Sequence, residues 1–217
     1  MRLAGDFDVR RWLALRDDFP TESGTTRDAW IEVVVDAMRQ EHGDELVEPL
    51  VAAIRAAIGH GIDAVEPDAL ATLQHWPTPL LTATIVTIEG VLASPSETAD
   101  VVLVPGDADP ERIRVALVDA PGIGVGSEIR YGVPTGDAEV PELVGVSMAF
   151  RGPTGALRVT ARPTVPALAL RLVDDLRGLV AGISLEAEGD EAPWQRSTLE
   201  LAPMRPEEPE LWAMDAR

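Results

Sequence analysis

The stretch "DAPGIGVGSEIRYG", residues 119–132, places Gly122, Gly124 and Gly126 on every second position behind an apolar run. Glycines can let a backbone approach a phosphate, as in the dinucleotide fingerprint G-x-G-x-x-G, where the free N–H groups of a helix start hold the pyrophosphate. The spacing here differs, because after Gly122 and Gly124 the third glycine belongs at the position taken by Ser127. The residues "SEIRYGVP", from Ser127 on, alternate and stop at Pro134, which is the pattern of a strand. The glycines are expected to serve a hairpin or bulge that aims Arg130, rather than a cofactor.

Two other stretches invite a catalytic reading. "GVSMA" around Ser147 approximates the nucleophile elbow G-x-S-x-G, but Ala149 replaces the second glycine and Ser147 lies inside an apolar alternation. A triad also needs a histidine, and none of His42, His60 and His75 sits beside a distinctive acid in a known triad arrangement. "EHGDE", residues 41–45, groups His42, Asp44 and Glu45, residue types that can ligate a metal. The same group suits a helix end followed by a helix start, where the dipoles favour those charges, and that is the expectation. No catalytic residue, metal or cofactor is assigned.

Arginine offers the most specific candidate site. Arg112, Arg114, Arg130, Arg158 and Arg162 fall on strand positions opposite to apolar ones, so neighbouring strands can gather them into a patch suited to carboxylate or phosphate. Glu111, Glu128 and Glu142 lie close by in sequence. Cross-strand pairing with these would make a salt-laddered solvated face instead, and that face is the favoured expectation.

Composition narrows the chemistry further. The chain has 217 residues, 46% of them apolar, and no cysteine, lysine or asparagine, so all 18 cationic side chains are arginine. Disulfides, thiolate nucleophiles, a Walker lysine and a Schiff base are excluded. A formal charge of −19 disfavours nucleic acid, whose binding depends on clustered positive charge. That charge suits solubility through self-repulsion, or an acidic surface for a basic partner. No apolar run approaches the ~18 residues of a membrane span. Asp6 and Asp8 interrupt the opening where a signal peptide is apolar, which points to the cytoplasm.

The elements that must position these residues emerge from periodicity. In "TTRDAWIEVVVDAMRQEHG" the residues Ala29, Trp30, Val33, Val34, Ala37 and Met38 repeat at three and four, with Thr25 or Thr26 as cap and Gly43 as stop. A second helix starts at about residue 48, with Pro49 in its first turn and Leu50, Val51, Ile54, Ala57 and Ile58 on one face. A short helix is expected from Pro67 to Gln74. From Leu81 the period moves toward two, predicting strands at 81–93, 100–104, 111–119, 127–133, 142–150 and 156–162, joined too closely for crossover helices and therefore antiparallel. Ile113, Val115 and Leu117 should share the apolar face of this sheet, with Arg112 and Arg114 on the wet one. A helix then carries Ala169, Leu172, Val173, Leu176, Leu179 and Val180 as its buried stripe, with Arg171, Asp174, Asp175 and Arg177 on the reverse. Residues 183–186 can return as a strand, and "STLELA" can supply another.

The succession "IRYGVP", "VGVSMAFRGP", "LRVTARP" and a helix ending "LRGLVAGISL" resembles the C-terminal portion of uncharacterised actinobacterial α+β proteins. More remotely it is similar to the antiparallel-sheet layout of the Mog1/PsbP-like fold. The likeness spans residues 100–186 and is one of pattern, so it implies a fold and carries over no functional residue.

The resulting expectation is an α+β protein. An antiparallel sheet of six or seven strands, within residues 77–202, is covered by a C-terminal helix, and an N-terminal helical segment, residues 1–76, shares its core. Residues 203–217 form an acidic, proline-rich tail in which Leu211 and Trp212 can anchor the tail or bind a partner. Trp30 belongs to the core, while Trp12, Trp76 and Trp194 can anchor segments or a partner. The expected function is a non-enzymatic protein-interaction or scaffold protein. The alternatives are an enzyme or binder of a small anionic ligand, with a pocket between helices and sheet, and a homodimer-forming structural protein.

Overall fold

The computed structural model describes residues 2–22, 24–43, 46–76, 84–91, 112–136, 142–152, 155–187, 189 and 194. The expected strand at 100–104, the segment "STLELA", and Leu211 and Trp212 lie outside the described residues.

Seven strands form one sheet: β2 (Trp12–Leu15), β3 (Ala71–His75), β4 (Thr84–Val91), β5 (Arg114–Ala120), β6 (Gly124–Val133), β7 (Leu143–Arg151) and β8 (Ala156–Thr164). Their order is β2-β3-β4-β8-β7-β6-β5, and every neighbouring pair is antiparallel. A separate antiparallel pair joins β1 (Arg2–Gly5) to β9 (Ile183–Glu186). The fold is therefore α+β with a seven-stranded antiparallel sheet.

Two helices precede most of the sheet. The Thr26 hydroxyl accepts the Ala29 N–H at 3.3 Å and starts α1 (Arg27–His42), which Gly43 ends in a left-handed conformation, φ 56°. Helix α2 (Glu48–Asp63) carries Pro49 in its first turn, where a missing N–H matters least. Arg55 of α2 clamps the two helices, donating to Glu32 at 2.6 and 3.0 Å and to Glu48 at 3.3 Å. That guanidinium holds the Glu32 carboxyl below the usual carboxylate range.

The buried face of α1 is rotated from the expected one. Ile31 and Val35 point into the core, Trp30, Val34 and Met38 are half-buried, and Ala29, Val33 and Ala37 are exposed. The apolar residues of this helix offer two stripes, and the packing against α2 and the sheet selects one of them.

Residues 67–74 also depart from expectation, because strand β3 stands where the sequence predicts a helix. β3 is buried on both faces, with Leu73 in the cluster under the C-terminal helix and Gln74 donating to the Ala57 carbonyl of α2 at 3.2 Å. The alternation of Ala71, Thr72, Leu73 and Gln74 is too short to stand out as a two-residue period beside the apolar residues that flank it.

Helix α3 (Pro166–Gly182) lies across the opposite face from α1 and α2. Ala169, Leu172, Val173, Leu176, Leu179 and Val180 are buried as expected, most of them packed with Val86, Ile88, Val146, Met148, Phe150, Leu157 and Val159 of the sheet. Ile85, next to Val86 along β4, points the other way and packs with Leu15, Ile54 and Ile58. The helix pair thus packs at the β2–β3–β4 end, while α3 covers the other face, chiefly against β5, β7 and β8.

At the β5 end the faces differ from expectation. Val118 and Ala120 face α3, whereas Ile113 and Val115 pack on the other side with Ile129, Tyr131 and Ala149. Leu117 remains 43% exposed. Both faces of this end carry apolar side chains, so alternation alone does not say which one α3 covers.

Candidate functional site

Three ionisable side chains meet where the end of β3 passes under α3. His75 Nε2 is 2.8 Å from Asp175 Oδ2, and both side chains are buried. The second oxygen of Asp175 accepts from the Arg11 guanidinium. Trp12, opposite His75 in the register of β2 and β3, packs against the imidazole with ring centroids 4.7 Å apart at 40°. The Trp76 N–H donates to the Arg11 carbonyl at 2.8 Å and fixes the chain on the far side.

Asp175 overturns one expectation. The sequence pattern assigns it to the solvated side of α3, yet it is buried with the apolar stripe. The spacing carried a signal, since position 175 lies three after Leu172 and four before Leu179. His75 shows no acid nearby in sequence because its acid is supplied by an element 100 residues away.

Burial pushes the His75 imidazole down to about 4, and the positive charges of Arg171 and Arg11 act in the same direction. An imidazole shifted this way is neutral at pH 7, and because a carboxylate oxygen only accepts, the contact assigns the ring proton to Nε2. A neutral imidazole held by an acid is the arrangement of a general base. Here the ring is 1% exposed, and its acid is shared with a guanidinium. The arrangement fastens α3 to the sheet.

A second charged cluster lies further along the same face. Glu128, 1% exposed, accepts from Arg130 Nε at 2.9 Å and from Arg177 of α3 at 2.8 and 3.3 Å. Two arginines around one buried carboxylate satisfy both of its oxygens.

The five arginines singled out from sequence are divided between the two sides of the sheet. Arg114 and Arg130 stand opposite each other in register on the side facing α3. Arg158 pairs with Glu89 at 2.8 Å on the other side. Arg112 bonds Glu142, Arg114 donates to the Ile113 carbonyl at 3.1 Å, and Arg162 is exposed near the end of β8. Glu128, Glu142 and Glu89 thus each hold one of these guanidiniums, whereas the helix pair lies toward the opposite end of the sheet.

The glycine stretch forms the β5–β6 turn. The Ile123 N–H returns to the Ala120 carbonyl at 3.0 Å, and Gly124 adopts φ 128°. A Cβ on Gly126 would meet the Ala149 carbonyl and the Phe150 ring, and one on Gly122 would meet the Ile183 carbonyl. Trp194 secures the turn through its Nε1–H, which donates to the Ile123 carbonyl at 2.9 Å. Trp194 is half-buried, and the Trp12 and Trp76 side chains are buried within the fold.

Ser147 sits in the middle of β7, fully buried. The register places it in a row of hydroxyls, Thr72–Thr87–Thr160–Ser147, across β3, β4, β8 and β7. The end members, Thr72 and Ser147, have hydroxyl oxygens without a hydrogen-bond partner. Register across four strands cannot be read from one strand's alternation, so this row is invisible in the sequence.

His42 ends α1 beside Gly43, as the cap reading requires, while Asp44 and Glu45 lie outside the described residues. Among the described residues no group of three His, Asp or Glu side chains is placed to hold a metal ion.

No family model, curated protein or solved structure matches the chain. Nothing in these comparisons bears on the Mog1/PsbP-like layout expected for residues 100–186. Function must be argued from the side chains themselves.

Proposed function

We propose that the protein is a non-enzymatic interaction or scaffold protein that works through a protein partner. The observation that supports this best is where the chemistry-bearing side chains lie. The ionisable groups best suited to chemistry, His75, Asp175 and Glu128, are buried in contacts that hold α3 on the sheet. The charge of −19 favours a partner that presents basic side chains. A cytoplasmic setting is part of this proposal.

Self-association is the second reading. Leu117, 43% exposed, lies on β5, which ends the sheet order and has no strand on its outer side among the described residues. The anionic-ligand reading has less support, because Arg112, Arg130 and Arg158 already serve carboxylates of the same chain.

Affinity isolation from native cells at low salt tests the proposal. A polypeptide retained in fixed stoichiometry and released by salt is expected. Retention of a small anionic molecule alone would contradict it.

A further inference from the structure

We infer that the interface between β3 and α2 is a binding site for one buried water molecule, held by the side chains of Thr72 and Gln74 with Thr87 beside them. Thr72 and Gln74 stand two apart on β3 and so share the face turned toward α2, while Leu73 between them enters the cluster under α3. Both side chains are buried, and Thr72 Oγ1 and Gln74 Oε1 have no hydrogen-bond partner among the described residues. Buried polar atoms in folded proteins are almost always satisfied, by the protein or by ordered water. Two such atoms on one face of one strand can be satisfied by a single shared partner.

Hydrogen-bond chemistry sets what that partner must be. Gln74 Nε2–H donates to the Ala57 carbonyl of α2 at 3.2 Å, and turning the amide over would set two oxygens against each other. Oε1 is therefore the end that needs a donor. Thr72 does not supply it directly, since its own hydroxyl oxygen is equally unpartnered. Residues two apart along a strand are about 6.7 Å apart at the backbone, and a water with a hydrogen bond of about 2.8 Å on each side closes a gap of that order. Thr87 lies opposite Thr72 in the register of β3 and β4, and its side chain is also buried. Side chains so placed have Cβ atoms about 5 Å apart, which makes the Thr87 hydroxyl a third partner for a water that typically makes about three bonds.

The surroundings close the site to bulk solvent. Leu15 stands opposite Thr72 on the β2 side, and Ile85 stands opposite Gln74 on the β4 side. Gly61 brings the α2 backbone over them, so near that a Cβ there would stand 2.9 Å from Gln74 Oε1 and 2.9 Å from the Leu15 side chain. The Ala57 carbonyl, the Gln74 amide, the water and Thr72 then form one chain of hydrogen bonds from helix to sheet. Ser147, at the far end of the hydroxyl row, offers no such convergence, because Ile129 is one of its two cross-strand neighbours.

A crystal structure of the full chain tests the site directly. A water-sized density peak within about 2.6–3.2 Å of both Gln74 Oε1 and Thr72 Oγ1 is the expected result. Urea denaturation reads the same site in solution through Thr72→Val, which keeps the shape and the β-branch of the side chain and removes only its hydroxyl. With water bound, that change takes away a partner and leaves Gln74 Oε1 less well satisfied, so the folding equilibrium constant should fall by about fivefold. An increase in that constant would mean that Thr72 carries an unsatisfied hydroxyl whose removal is a gain, and would overturn the inference. A wild-type density map without the peak, or with Gln74 Oε1 bonded directly to a protein donor, would overturn it as well.

Discussion

His75 of β3 and Asp175 of α3, 100 residues apart in the chain, form a buried hydrogen bond of 2.8 Å. Arg11, just before β2, closes the other carboxylate oxygen, so one acid ties together the edge of the sheet and the helix that covers it. The imidazole is neutral, and the negative charge of Asp175 is balanced by the guanidinium rather than by His75.

Asp175→Ala is expected to destabilise the fold by about 3 kcal/mol, since it strips a buried donor and a guanidinium of their acceptor. Asp175→Asn should lose less, because its amide oxygen can still accept from His75. Urea unfolding measures both. A loss of about 0.5 kcal/mol for the alanine variant, the size of an ordinary surface change, would show that the pair holds nothing.

His75 also sets a pH dependence. Its folded-state value, about 4, lies below the 6.5 of an ordinary imidazole, so between these values the unfolded chain binds the extra proton. This contribution favours the folded state fully above pH 6.5 and is lost as pH falls toward 4. The loss amounts to roughly 3 kcal/mol across that window. Unfolding free energies measured from pH 7 to pH 4 should fall more steeply in the wild type than in His75→Gln. Parallel profiles would contradict the burial of a neutral ring.

Two glycines should respond in opposite directions. Gly126→Ala drives a methyl into the Ala149 carbonyl and the Phe150 ring, and should cost about 1–3 kcal/mol. Gly178 lies in the middle of α3 with open space where its Cβ would stand. Gly178→Ala should therefore stabilise by about 0.5–1 kcal/mol through helix propensity. Melting temperatures that move the same way in both would show that the turn or the helix is placed differently.

Glu128 supplies a comparison within one cluster. Glu128→Gln leaves Arg130 and Arg177 facing a neutral amide and should be more destabilising than Arg177→Leu, which leaves the carboxylate paired with Arg130. Denaturation midpoints give the order directly, and the reverse order would mean that Arg177 alone fixes α3.

Much of the architecture is legible in the sequence, and the exceptions share a cause. Leu143–Arg151 and Ala156–Thr164 are readable because β-branched and apolar runs end at Pro and Gly, and the stripe of α3 is readable because its far side is solvated. β3, five residues long, and β1 and β2, four residues each, are too short for a period to stand out. The rotation of α1 depends on which of two apolar stripes meets α2 and the sheet. Asp175 and His75 can be joined only by knowing that α3 crosses the β2–β3 edge, a relationship that no local window contains.

Native mass spectrometry of the protein drawn from its own cells at low salt tests the interaction reading most directly. The expected result is a species heavier than the 23.2 kDa chain by a polypeptide of a different mass. A 23.2 kDa chain carrying a small anionic molecule, and no second polypeptide, would contradict it.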